Sequence, residues 1–402
     1  MKDGIERDAV APLHDIRVIE LCNLAAGPWT TMLLADLGAD VVKVESPTGD
    51  LSRGMGRVHV GGESALFIAC NRQKRSIRLD LKKQRGVEVF RQLASTADVV
   101  VQNLRPGVVQ RLGVDYDTLR LLNPRVIYSS ISAYGQSGPY ASRAANDPII
   151  QAFSGMMGVT GTPEEPALVG APVPDYATAA LMAFGIMVAL RERERSGAGQ
   201  HIEASLVQAT VAMLSQRYQE YLMTGHEQPR FGSGHSSFAP YQCFRTRDGE
   251  FLYVAVIHDR FWRNLCLATN RSDLLEDERF SDNTGRVRHR TELTHTFDEV
   301  FGSRTLDDWV DILVAADVPC SPVNGVARAL ADPQMASLDP FVELEHSQLG
   351  TLKTFGFPLS FSSSPVQIER QPPALGADTD EVLRQFGFSD SEIRQLREDG
   401  VC

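Results

Sequence analysis

Four short segments of the first 132 residues carry apolar residues at adjacent positions, not only at alternate ones: "IRVIELCN" (16–23), "DVVKVE" (40–45), "DVVVQN" (98–103) and "RVIYSSIS" (125–132). Helical patterns separate them at 27–39, 86–97 and 116–123. A strand that is apolar on both faces must be covered on both faces, and helices alternating with such strands do this for a parallel sheet. The chain is therefore predicted to open as an α/β domain. Ligands of such sheets sit beyond the carboxyl ends of the strands. The loops after Asn23, Glu45, Asn103 and Ser132 are the places to search.

After residue 200 the pattern changes. "HIEASLVQATVAMLSQRYQEYLMTG" reads as continued helix, followed by a Gly/Ser loop, "GSGHSS" (232–237), and a hairpin around Asp248-Gly249. Helices are expected near 260–270, 291–301 and 305–316, which makes a smaller α+β domain over 225–325. The tail carries Pro-bearing turns and a last helix near 391–397.

Composition excludes several function classes. Net charge is −11, which disfavours general nucleic-acid binding. The longest apolar run, Ala179 to Leu190, is short for a bilayer span, and no apolar signal core precedes the first strand, so no membrane partner and a cytoplasmic location are expected. Six scattered cysteines without a C-x-x-C pair, and nine histidines without H-E-x-x-H, point to reduced thiols and to no metal site. The first turn, "CNLAAGP", has one glycine where a dinucleotide fingerprint needs three. There is no P-loop and no G-x-S-x-G; Ser137 in "GQSGP" reads as a turn residue.

Two features remain open at this level. "APVPDYATAALMAFGIMVALRERER" (171–195) places a single acid, Asp175, before a long apolar helix expected over Tyr176–Arg193. An Asp there is either an N-cap or a carboxylate nucleophile held as the anion by the helix terminus. "NRQKRSIRLDLKKQR" (71–85) gathers Arg72, Lys74, Arg75, Arg78, Lys82, Lys83 and Arg85 against Asp80 alone. It is either a solvated face or a site for a phosphorylated ligand.

"AAGPWTTMLLADLGADVVKVESPTGD", "NRQKRSIRLDLK", "ADVVVQNLRPGVVQRLGVDY", "NPRVIYSSISAYGQSGPY", "RERERSGAGQHIEASL" and the tail "PPALGADTDEVLRQFGFSDSEIRQLREDGV", in this order, resemble the class III CoA-transferases. That superfamily includes formyl-CoA and carnitine CoA-transferases and the α-methylacyl-CoA racemases. The resemblance implies a Rossmann-like large domain over 1–224, the small α+β domain over 225–325, and a C-terminal part, 326–402, returning to the large domain. It also implies an interlinked homodimer.

Carried onto this chain, the resemblance makes Asp175 the nucleophile of a transfer between carboxylic acids, with an acyl-CoA donor, a carboxylate acceptor and no permanently bound cofactor. CoA is expected along Leu24 and Ala25, along Leu79 to Lys82, and along Asn103, Leu104 and Arg105, with Arg111 meeting a phosphate. Arg143, Asn146 and Asp147 are expected over the thioester end, and Gly232, Gly234 and His235 in a loop shielding the intermediate. Ser46 departs from the formyl-CoA transferase pattern, which has a basic residue there. Racemisation needs an acid/base group on each face of an enolate. The racemase histidine position is Asn146 here, and an amide does not exchange protons near neutral pH, so transfer outweighs racemisation. A non-catalytic CoA-binding protein is the remaining alternative, disfavoured because Asp175 is in place. The substrates expected from family breadth are small dicarboxylates.

Overall fold

The computed structural model describes residues 10–346 and 350–402. The chain divides into two compact units, the first made of 1–154, 169–218 and 340–402, the second of 155–168 and 219–339.

The first unit is built on six strands: β1 (Arg17–Leu21), β2 (Asp40–Glu45), β3 (Lys74–Arg78), β4 (Val99–Gln102), β5 (Ile127–Ser132) and β6 (Gln200–Ser205). They run in the order β3-β2-β1-β4-β5-β6, and each pairs with its neighbours in parallel. This is the doubly wound dinucleotide-fold order, whose direction of winding reverses between β1 and β4. Two cores cover the two faces. One gathers Ile19, Val42, Phe90, Leu93, Val100 and Tyr128 with the C-terminal Phe386, Phe388 and Ile393. The other gathers Val18, Leu34, Val41, Val99 and Ile127 with Met182, Ile186 and Leu190. The apolar residues at adjacent positions of β1, β2 and β4 thus feed both layers, as a parallel sheet requires.

The expected helical reading of the segment after residue 200 is corrected: Gln200–Ser205 is the sixth strand, registered Ile127↔Gln200 through Ser132↔Ser205, and the helix begins at Leu206. Gly199 permits the entry, because a Cβ there would stand 2.0 Å from the Val126 carbonyl oxygen. Helix Val173–Ser196, which covers the sheet, is long and apolar enough by length and composition to cross a membrane, contrary to the shorter run expected. In this fold its inner face, Ala179, Met182, Ile186 and Leu190, is core, and Arg193 near its end pairs with Asp98 at 2.9 Å.

The second unit has a three-stranded antiparallel sheet, β7 (Tyr241–Arg245), β8 (Phe251–Ala255) and β9 (Cys320–Pro322), in the order β9-β8-β7. Helices Asp259–Ala268, Arg290–Phe301 and Leu306–Ala315 pack on it around Phe244, Trp262, Phe297, Phe301 and Trp309. The turn joining β7 to β8 holds Gly249 at φ +85°, as the Asp-Gly pair predicts. The last stretch rejoins the first unit: the Asp80 N–H donates to the Val401 carbonyl at 2.8 Å, and the Ser76 N–H to Asp378 at 2.8 Å.

Candidate active site

Beyond the carboxyl ends of β1, β4, β5 and β6 lies a cleft of about 110 Å³. Its wall includes Leu24, Ala25, Asn103, Ser132, Asn146 and Asp175. It opens where the winding reverses, the position at which this fold leaves a crevice.

Three devices shape its β1 side. Asn103 clamps the loop after β1 in both directions: the Asn23 N–H donates to its Oδ1 at 2.9 Å, and its Nδ2 donates to the Asn23 carbonyl at 2.7 Å. Leu24 takes a left-handed φ of +69°, a conformation an ordinary side chain resists. The Asp50 carboxylate holds it there by accepting the Leu24 N–H at 3.1 Å. Asp50 is in turn fixed by buried Lys43 at 2.7 Å, and Lys43 by buried Glu20 at 2.6 Å. Gly27, in the following helix Ala26–Asp36, is required by close approach: a Cβ there would meet Cys22 Sγ at 2.4 Å.

Asp175 sits across the cleft from this loop. Its helix starts at Val173, with Pro172 as a cap that makes no side-chain hydrogen bond. Asp175 is thus the third helical residue, and the N-cap reading of the sequence is corrected. Pro174 explains the early start, since proline is favoured in the first turn, where its missing N–H is no loss. The Asp175 N–H, an orphan of that turn, donates to Asp147 Oδ2 at 3.1 Å. Burial, reinforced by the like charge of Asp147, pushes the Asp175 carboxyl up to about 7. Trp29 and Tyr176 form a ring pair at 5.0 Å beside it. Burial pushes the Tyr176 hydroxyl up to about 12, with further contributions from Cys70 and Asp175.

The remaining expected residues divide. Asp147 is buried and faces the Asp175 backbone. Leu104 is half-buried, its N–H donating to Gln102 Oε1 at 2.8 Å. Arg105 and Arg111 are exposed, the latter on the short helix Val108–Leu112. Arg143 is exposed, with its guanidinium over the Tyr140 ring at 5.3 Å. Leu79 is core and Lys82 is exposed. Gly232, Gly234 and His235 belong to the second unit. There the loop is tied down: Gly232 N–H donates to the Gly161 carbonyl at 2.8 Å, Tyr253 Oη to the Ser233 carbonyl at 3.0 Å, and His235 stacks on Tyr241 at 4.8 Å.

The ligand reading of the basic run is corrected for most of its members. Arg72 is fully buried against Asp36 at 2.6 Å, Lys74 against Glu20 at 2.8 Å, and Arg75 pairs with Asp40 at 2.7 Å. Lys83 donates to the carbonyls of Asp399 and Gly400, and Arg85 pairs with Glu88. Except for Glu88, one turn along from Arg85, these partners come from distant elements, so the run looks unpaired only in one dimension. Asp50 and Gln151 were missed for the same reason: each accepts a backbone N–H, of Leu24 and of Val169, far along the chain. Among the described residues no three His, Cys, Asp or Glu side chains form a metal set, and the six cysteines are free.

The comparisons with known proteins agree with one another. The sequence is 39% identical over 388 residues to a succinate–glutarate CoA-transferase of Agrobacterium fabrum, covering 93% of this chain and 96% of that one. It is 34% identical to the human succinyl-CoA:glutarate CoA-transferase, covering 98% and 90%. A CAIB/BAIF family protein from Brucella suis superposes with a TM-score of 0.85 at 35% identity, over 94% of this chain and 99% of that one. Residues 13–379 match the family described as CoA-transferase family III, and the chain belongs to that family of transferase enzymes.

Proposed function

We propose that the enzyme moves CoA from an acyl-CoA donor to a carboxylate acceptor through a covalent aspartyl-CoA thioester at Asp175, and that its acids are short dicarboxylates of the succinate and glutarate class. The observation that carries this is the half-buried Asp175 carboxylate in a cleft at the fold's crevice, facing an asparagine-clamped loop. The substrate class is supported by the names of two relatives that align over nearly their whole lengths. The small cleft suits a reacting carbonyl and a short acyl chain, while the rest of CoA extends along surface residues such as Arg105 and Arg111, whose guanidinium forks suit phosphate.

In the first step an Asp175 oxygen attacks the thioester carbonyl, the C–S bond breaks, and a mixed anhydride and CoA thiolate result. The thiolate attacks the aspartyl carbonyl and expels the donor acid as its carboxylate, leaving CoA joined to Asp175 as a thioester. The acceptor carboxylate reverses these steps, and Asp175 returns as the anion. Splitting the exchange into covalent stages is what makes it accessible. The other cleft-facing candidate, Asn146, is an amide, so a second proton-transferring base on the opposite face of a substrate is missing from that position.

The test is incubation with succinyl-CoA in the absence of an acceptor, followed by intact-mass and peptide mass spectrometry. A CoA-sized adduct on Asp175, cleaved by hydroxylamine to the hydroxamate, is the expected result. Sustained CoA exchange between succinate and glutarate without an adduct on Asp175 overturns the assignment.

A further inference from the structure

Asp147 was expected to cover the thioester end, yet its two oxygens are turned elsewhere. Oδ2 accepts the Asp175 N–H at 3.1 Å, and Oδ1 accepts from Gln151 Nε2 at 2.7 Å, one helical turn further along Asp147–Phe153. Gln151 Oε1 accepts the Val169 N–H at 3.0 Å. Asp147 and Gln151 thus fasten the segment leading into the nucleophile helix at two points, Val169 and Asp175. Both side chains are buried, and neither contact serves the Asp147–Phe153 helix as an N-cap, which is supplied by Asn146 without a side-chain bond.

A buried carboxylate is a costly way to accept an N–H, because its charge must be desolvated. A neutral amide has one acceptor oxygen, enough to hold the Asp175 N–H but not Gln151 as well. What the charge adds is a like-charge neighbour for the Asp175 carboxylate.

We propose that Asp147 is a positioning residue for the reaction: it holds the Asp175 backbone, and its charge repels the Asp175 carboxylate, so that converting that carboxylate into a neutral thioester relieves the repulsion. This rests on Asp175 being the nucleophile. The atoms balance as in the transfer itself. The Asp175 anion is consumed in forming the C–S bond to CoA, and the negative charge leaves the site with the donor carboxylate. Asp147 takes no part in bond making. Its effect is on the equilibrium between free enzyme plus acyl-CoA and enzyme-CoA thioester plus free acid, which it draws toward the thioester. The other titratable groups near Asp175 are Cys70, on helix Ala65–Asn71, and Tyr176, on its own helix; burial raises both, so they are neutral at working pH. Burial raises the Asp147 carboxyl too, against the hydrogen bonds from Gln151 and the Asp175 N–H, so its charge acts at the alkaline side of the pH profile.

The experiment compares wild type, Asp147→Asn and Asp147→Glu at fixed ratios of succinyl-CoA to succinate. The fraction of chains carrying CoA on Asp175 is read by mass, and kcat/KM is followed against pH. Asn keeps one acceptor oxygen for the Asp175 N–H, gives up the one that takes Gln151 Nε2, and loses the charge, so the pH midpoint and not kcat alone is the readout. It is expected to lower the ratio of CoA-bearing to free enzyme about tenfold and to move the pH midpoint of kcat/KM down by about one unit, the size of effect a single nearby like charge has. Glu keeps the charge and displaces the hydrogen bond. It is expected to lower kcat while leaving the midpoint in place. A merely structural Asp147 would lower kcat in both variants with the midpoint unmoved in both, and that result overturns the proposal. If Asp147→Asn does not fold, a midpoint that moves in Asp147→Glu overturns it instead. Wild type that turns over without an adduct on Asp175 overturns both this proposal and the nucleophile assignment, whereas a wild-type adduct left unchanged by Asp147→Asn overturns this proposal alone.

Discussion

Asp175 is held where a carboxylate is uncomfortable. The helix terminus favours its anion, but burial and Asp147 win, and the carboxyl is pushed up to about 7 from an ordinary 3.8. In the unfolded chain the group ionises near its ordinary value. Between roughly pH 4 and pH 7 the folded protein therefore binds more protons than the unfolded one, and Asp175 costs stability progressively as pH rises through that window. Below it the cost vanishes, and above it the cost is constant. Asp175→Asn has no such titration. It is expected to abolish transfer and to unfold at a higher temperature than wild type at pH 8, with the advantage shrinking to nothing near pH 4. Calorimetry at several pH values checks this. A variant less stable than wild type at pH 8 would show that the side chain supports the helix rather than being strained by it.

Between residue and sheet lies the buried charge row of β1, β2 and β3. Glu20 touches Lys43 at 2.6 Å and Lys74 at 2.8 Å, with all three side chains fully buried. Burial pushes Glu20 up, but the two ammonium groups outweigh it and hold it below the usual carboxylate range. Lys43 is raised despite burial because Glu20 and Asp50 flank it. Such a row adds little net stability compared with an apolar equivalent, but breaking it leaves an uncompensated charge. Lys74→Met is expected to cost about 3–5 kcal/mol of unfolding free energy, measured by urea denaturation. It is also expected to loosen the Asp50–Leu24 contact that shapes the cleft, seen as a raised KM for the CoA donor. A loss under about 1 kcal/mol would mean that the row relaxes around the gap.

For the whole molecule, the outward face of helix Val173–Ser196 stands out. Leu181, Phe184 and Val188 lie on it with 44%, 68% and 52% of their surface exposed. Apolar side chains at this spacing form one stripe, and an exposed stripe of this kind marks an interface. The family resemblance expects a homodimer, and we expect this stripe to be covered in it. Sedimentation velocity at micromolar concentration should give twice the chain mass, and Phe184→Asp with Val188→Asp should weaken the assembly. A stable, active wild-type monomer would overturn the expectation.

Periodicity alone was enough to place β1, β2, β4 and β5 and the helices between them, because strands buried on both faces carry apolar residues at adjacent positions. It also pointed to the loops that line the cleft, since in a parallel sheet chemistry gathers at the carboxyl ends. Ordered motifs were enough to identify the family. The edge strand β6 was not legible: "QHIEAS" has neither a buried-strand run nor a turn of its own, and only pairing with β5 and the Gly199 approach to Val126 make it a strand. Nor was the fate of Arg72, Lys74 and Arg75 legible, because a charge is a ligand site or a core ion pair according to which distant acid faces it. Asp36, Glu20 and Asp40 stand 36, 54 and 35 positions upstream of them. The start of helix Val173–Ser196, the hold of Asp147 on Asp175 and the strained Leu24 held by Asp50 were likewise decided by the tertiary structure. Local sequence sets what each segment prefers, but burial and the pairing of charges depend on contacts that exist only once the sheet is assembled.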